Sequence, residues 1–143
     1  MKSTLALLAV LATAAAPACA AGDAAKGEAT FKQCQTCHAV INDAGEVLAG
    51  KGKIGPNLHG LFGRQAGSYP DFKYGKSIVA AGVAGLKWDE VSFTAYVQNP
   101  TGFLQTTLND KKAKGNMMYK VKDAAIAADL YAYLSQFSPA AAQ

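Results

Sequence analysis

Near its start the chain has an apolar run from Leu5 to Ala16, interrupted only by Thr13, and then breaks into short patches of helical spacing separated by polar, glycine-rich stretches. Asp23 is placed to cap a helix running to about residue 35, with Gly27 and Phe31 one turn apart on the same face. From Val40 to Tyr74 neither a period of 2 nor of 3.6 is sustained, and Gly, Asn, Asp and Pro recur, so this region is expected to be turns and irregular structure. A short helix is expected over Lys76 to Ala81. Another starts after Trp88, where Asp89 and Glu90 favour an N-terminus and Val91, Ala95 and Tyr96 follow the helical period up to a stop at Asn99-Pro100. The clearest helix follows Asp123, with Ile126, Leu130, Tyr133, Leu134 and Phe137 in one stripe that ends before Pro139. No convincing strand and no internal repeat is visible.

Short helices on long irregular connections fill a core poorly with side chains alone, because long structureless loops are uncommon in compact domains. A large apolar group at the centre would resolve the difficulty. The expected fold class is therefore all-α, with about four to five short helices and long loops wrapped around such a group.

The first apolar run bears on where the protein works. Lys2, the run itself and the small residues that follow have the order of a secretory signal peptide cleaved near Ala20 or Ala21, leaving one domain over 22–143 with a short flexible tail after about 138. No later stretch approaches the roughly 20 apolar residues of a membrane span. The expectation is a soluble, exported monomer in the periplasm, not embedded in a membrane. A lipid anchor on Cys19 is disfavoured because Ala16, Pro17 and Ala18 supply no bulky aliphatic upstream.

Removal of the leader changes the cysteine arithmetic. Three cysteines become two, Cys34 and Cys37, so no disulfide framework is available and a chain of about 120 residues must rely on its core or on something bound inside it. The net charge of +4 falls to +3 with the loss of Lys2. That mild excess is unevenly spread: Lys111, Lys112, Lys114, Lys120 and Lys122 crowd around a pair of methionines. Such a run is either a solvated loop or a positive docking face for an acidic partner. Nothing in it suggests a nucleic-acid partner.

Both remaining cysteines lie in "FKQCQTCHAV", residues 31 to 40. A redox dithiol would need a preceding strand, and none is expected here. A structural zinc site would need four ligands, whereas beyond the cluster only His59 remains. Covalent attachment of haem fits best: C-x-x-C-H sets two thiols at the spacing of the porphyrin vinyl groups, and the following histidine is presented to iron. Export fits as well. Met117, Met118 and His59 are the candidates for the second axial position, and Met/His ligation raises the potential of an electron-transfer haem.

The segments "GDAAKGEATFKQCQTCH", "GPNLHGLFGR", "YPDFKYGKS", "LKWDE", "YVQNP", "KAKGNMMYKVK" and "LYAYL" follow one another in the order of a known family. From Gly22 to about Phe137 the chain resembles a class I c-type cytochrome, and more narrowly the cytochromes c2 of purple bacteria, relatives of mitochondrial cytochrome c. The resemblance implies one covalently bound haem c, with thioether bonds at Cys34 and Cys37, His38 as axial ligand and its other ring nitrogen donating to the Pro56 carbonyl. It puts the second axial ligand on Met117 ahead of Met118, Tyr96 near the methionine sulfur, and Arg64, Tyr74 and Trp88 around a buried propionate. His59 falls on a surface position, and Gly27 and Phe31 on a crossing with the last helix near Leu130 and Tyr131. The stretch from Pro100 to Met117 has the length of the larger c2 type. Lys32 joins Lys111, Lys112, Lys114, Lys120 and Lys122 as candidate docking residues.

The function implied is that of a one-electron carrier, not an enzyme. It would pass electrons from a quinol:cytochrome c reductase (bc1 complex) to a photosynthetic reaction centre or a terminal oxidase. Two rivals stand beside this reading: a haem peroxidase or diatomic gas binder with a displaceable sixth ligand, and a binding module whose cluster holds zinc.

Overall fold

The computed structural model describes residues 22–138, so the leader and the tail expected from sequence lie outside the described residues. Along the chain run α1 (Ala24–Cys34), β1 (Ala39–Ile41), β2 (Val47–Gly50), α2 (Lys76–Val83), α3 (Glu90–Gln98), α4 (Pro100–Leu108) and α5 (Ala124–Ser135). Helix starts follow the side-chain caps. The Asp23 carboxylate accepts from the backbone N–H of Ala25 and Lys26, and Asp123 accepts from that of Ile126. Asp89 and Ser92 form a reciprocal capping box.

Two elements depart from the sequence reading. The first is the antiparallel hairpin β1–β2, pairing Ala39 with Gly50 and Val40 with Ala49, in a region expected to lack strands. The Asn42 side chain shapes its turn by accepting from Ala44 and Glu46 N–H. The second is α4, which starts where the chain was expected only to stop. Asn99 closes α3 and at the same time caps α4 through Gly102, while Pro100 takes the first helical position, where its missing N–H costs nothing.

The main tertiary contact is the crossing of α1 over α5. Gly27 makes it possible: a Cβ there would lie 2.0 Å from the Asp129 carbonyl oxygen and 2.7 Å from the Tyr133 Cβ. The contact thus falls at Asp129 and Tyr133, to either side of the expected Leu130 and Tyr131. Fully buried Phe31 meets the Tyr133 ring at 5.4 Å, while Tyr131 turns to Phe62 at 4.4 Å. Helix α3 also packs on α5, and α4 lies against α2 and α3. Among the described residues no helix is long and apolar enough to cross a membrane.

Candidate cofactor site

The end of α1 delivers the cysteine pair. Past Cys34 the chain turns back on itself, the N–H groups of Cys37 and His38 both donating to the Cys34 carbonyl at 3.0 and 2.9 Å. This turn sets both thiols and the imidazole on the wall of a single cavity of about 480 Å³. Both thiols are free. Burial, with the neighbouring Cys37 thiol second, pushes Cys34 up to about 11, so it stays protonated at neutral pH. Among the described residues no group of three or more His, Cys, Asp or Glu side chains is placed to hold a metal ion, whereas a structural zinc needs four ligands.

His38 is fixed from two sides. Its Nδ1–H donates to the Pro56 carbonyl at 2.8 Å, which leaves Nε2 with the lone pair a metal ligand requires. Burial lowers its pKa, the Pro56 bond opposing, so the ring is neutral. The backbone of Gly55 runs against the other side: a Cβ there would stand 2.3 Å from Cε1 of the ring.

Met117 and Met118 line the same cavity, and here the two methionines part company. Met117 packs against the core cluster, whereas Met118 is 88% exposed at the cavity mouth. The loop that carries Met117 is laced to its surroundings by side chains from several elements. Gln105 of α4 donates to the carbonyls of Lys111 and Ala113, Thr101 accepts from Gly115 N–H, and Ser77 of α2 accepts from Lys114 N–H. Beyond the methionines, the Tyr119 hydroxyl donates to Gln33 of α1 and Val121 N–H to the Val97 carbonyl of α3. The long stretch after Pro100 is thus a helix and a tied loop.

Trp88, Tyr96, Tyr74 and Arg64 also line the cavity. Trp88 and Tyr96 meet edge to face at 5.0 Å, and burial, followed by the nearby Tyr74, pushes the Tyr96 hydroxyl up to about 12. Burial also raises the Tyr74 pKa, partly offset by Arg64. Arg64 spends two N–H groups on the carbonyls of His59 and Asn57 and stands 4.9 Å over the Tyr69 ring. Burial lowers its pKa, but guanidinium remains charged at any working pH. His59 is not on the cavity wall; its Nδ1 lies 3.8 Å from the Asp43 carboxylate.

The proposed docking residues Lys32, Lys111, Lys112, Lys114, Lys120 and Lys122 are all exposed, and none of them lines the cavity. Lys73 does, and so does Ile54, which is 74% exposed; neither was singled out from sequence. Lys73 sits inside the "YPDFKYGKS" segment beside Tyr74, the one signal that could have found it.

Helices crossing beside one apolar cavity, with the cysteine pair and histidine entering from the end of the first helix and a methionine on the same cavity wall, is the plan of a class I c-type cytochrome. Comparison with known proteins agrees at the level of both sequence and structure. No protein-family model matches the chain. It is 50% identical over 134 residues to cytochrome c2 of Cereibacter sphaeroides, covering 92% of each chain, and 46% identical over 138 residues to cytochrome c-551 of Roseobacter denitrificans, covering 96% of this chain and 97% of that one. The crystal structure of cytochrome c2 from Rhodobacter sphaeroides superimposes with a TM-score of 0.80 at 49% identity, over 82% of this chain and 97% of that one. The chain belongs to the cytochrome c2 family, whose members are electron carriers and not enzymes.

Proposed function

We propose that the protein binds one haem c covalently and works in the periplasm as a one-electron carrier between membrane redox complexes. The observation that carries this reading is the convergence of Cys34, Cys37, His38 and Met117 on one largely apolar cavity. Its volume of about 480 Å³ falls within the range of roughly 300–1,000 Å³ typical of small-molecule and cofactor sites. The donor set fits the group as well: two free thiols three residues apart, an imidazole with one nitrogen left available, and a thioether on the same cavity wall.

In this reading Cys34 and Cys37 would form the thioether links, and His38 and Met117 would hold the iron. Haem c, when bound, supplies one-electron exchange at its iron, between ferric and ferrous. The chain's own residues set the conditions for that exchange. Pro56 holds the His38 ring in one tautomer, and the lacing by Gln105, Thr101 and Ser77 holds the Met117 loop, so little has to move when charge changes. Buried Phe93, Val97, Leu130 and Leu134 keep water from the cavity. Arg64, Tyr74 and Trp88 offer polar hydrogens for a buried propionate, which is costly to bury without partners. Lys73, on the cavity wall, joins the exposed lysines in steering acidic partners into brief, salt-sensitive complexes. The donor is a quinol:cytochrome c reductase, and the acceptor a photosynthetic reaction centre or terminal oxidase.

The test is the optical spectrum of the purified ferric protein, with carbon monoxide added after reduction. A weak red sulfur-to-iron charge-transfer band with no response to carbon monoxide is expected. The band is lost in Met117→Ala and kept in Met118→Ala. Rapid carbon monoxide binding by the unmodified protein would instead establish an open iron and a peroxidase or gas-binding role.

A further inference from the structure

Asn57 makes no contact that the haem reading requires, yet its side chain has every hydrogen-bonding position occupied by a specific partner. Oδ1 accepts from the backbone N–H of Ile41 at 2.9 Å and of His59 at 3.0 Å. Nδ2 donates to the Ile41 carbonyl at 2.7 Å and to the Tyr69 hydroxyl at 2.9 Å. An asparagine carboxamide has two donor hydrogens and two acceptor lone pairs, so nothing is left over. The residue's own carbonyl accepts from Arg64, whose guanidinium stands over that same Tyr69 ring.

The position of these bonds matters more than their number. Ile41 is three residues beyond His38, and Asn57 is one residue beyond Pro56, whose carbonyl accepts from the His38 ring. Two short chain segments are therefore closed into a ring by the carboxamide at one end and the imidazole at the other. Backbone bonds tie the same segments together, Leu58 N–H to the Ala39 carbonyl at 2.9 Å and, on the N-terminal side of Pro56, Gly55 N–H to the Cys37 carbonyl at 2.7 Å. The two-sided grip on Ile41 adds a tie on the C-terminal side of Pro56. Pro56 is thus held from both sides, and with it the direction in which its carbonyl points.

We propose that Asn57 is a positioning residue for His38, acting through the Pro56 carbonyl to set the strength of the bond to Nδ1. This rests on the reading of His38 as an iron ligand. A ligating histidine whose second nitrogen donates to an oxygen is a more basic ligand, which favours the more highly charged ferric state. Loosening that bond therefore raises the reduction potential.

The experiment compares holoprotein variants by two readouts: exchange of the His38 Nδ1 proton, followed by NMR on the ferrous form, and the midpoint potential. Asn57→Ala is expected to exchange this proton about tenfold faster, the scale of one lost hydrogen bond, and to show a raised potential. Asn42→Ala is the control, since it removes hairpin-turn bonds of the same kind without touching the Pro56 segment. It is expected to lower stability while leaving both readouts at wild-type values. Should Asn57→Ala not fold, Asn57→Ser decides the matter: its hydroxyl can still accept from His59 N–H in a local turn, but both Ile41 bonds are gone. Wild-type exchange and potential in the folding Asn57 variant, or equal changes in Asn42→Ala, would overturn the proposal. Failure of the underlying reading looks different, because the unmodified protein would then lack a histidine-ligated haem spectrum.

Discussion

At the scale of single residues, the site depends on where side chains are missing as much as on where they are present. Gly55 is the sharpest case, since a methyl group there would occupy the place of the His38 ring, 2.3 Å from Cε1. The backbone on either side cannot easily yield, because Gly55 N–H is bonded to the Cys37 carbonyl at 2.7 Å and Pro56 holds the ring itself. Gly55→Ala should consequently displace the imidazole and leave a mixed or high-spin ferric spectrum at neutral pH, with a loss of stability of about 2 kcal/mol or more from overpacking. A variant with an unchanged low-spin spectrum would show that the loop shifts as a unit. The methionine pair follows the same local logic. Met117 has the core against it and Met118 has water, so only the first is priced by its surroundings.

At the scale of elements, the α1–α5 crossing and the helix caps carry separable parts of the stability. Gly27→Ala forces the two helices apart at the Asp129 carbonyl and should cost about 3 kcal/mol or more in urea unfolding, at the upper end of what overpacking causes. The cap of α3 gives a pH dependence. Hydrogen bonds from the Ser92 hydroxyl and then from its N–H hold the Asp89 carboxyl below its ordinary value of 3.8. A carboxylate depressed in the folded state adds stability that is complete above its unfolded pKa and disappears as pH falls through the folded one. The Tm advantage of the wild type over Asp89→Asn should thus be present at pH 6 and close as pH drops below 3.8. Asp89, Asp23 and Asp123 were legible in the sequence because a cap is a local feature. The hairpin was not, since strands of three and four residues are too short to show a period, and a carboxamide sixteen residues away braces one of them. Helix α4 was missed for a different reason: Asn99-Pro100 reads as a terminator, although the same pair also starts a helix.

At the scale of the whole molecule, the same division between local and distributed information decides what the sequence could reveal of the site. Cys34, Cys37 and His38 lie within five consecutive residues, so the proposed attachment motif could be read directly. Tyr96 and Arg64 come from distant segments and could be placed only through resemblance to a family, which also ranked Met117 ahead of Met118. Ile54 and Lys73 at the mouth became visible only once the chain was folded. The cavity lining has an energetic consequence. Residues from α1, α3 and α5 and from the loops before α2 and α5 all line the cavity, so a group bound there would pack against all of them at once. A covalently attached apolar group stabilises the fold by the surface it hides from water only when the chain is folded around it. The chain made without haem attachment, by replacing Cys34 and Cys37 with serine, is therefore expected to lose most of its helical far-ultraviolet signal and to unfold without a cooperative transition. A sharp thermal transition in that variant would mean that the α1–α5 crossing and the hairpin suffice for the fold, and that haem is a guest in a preformed site.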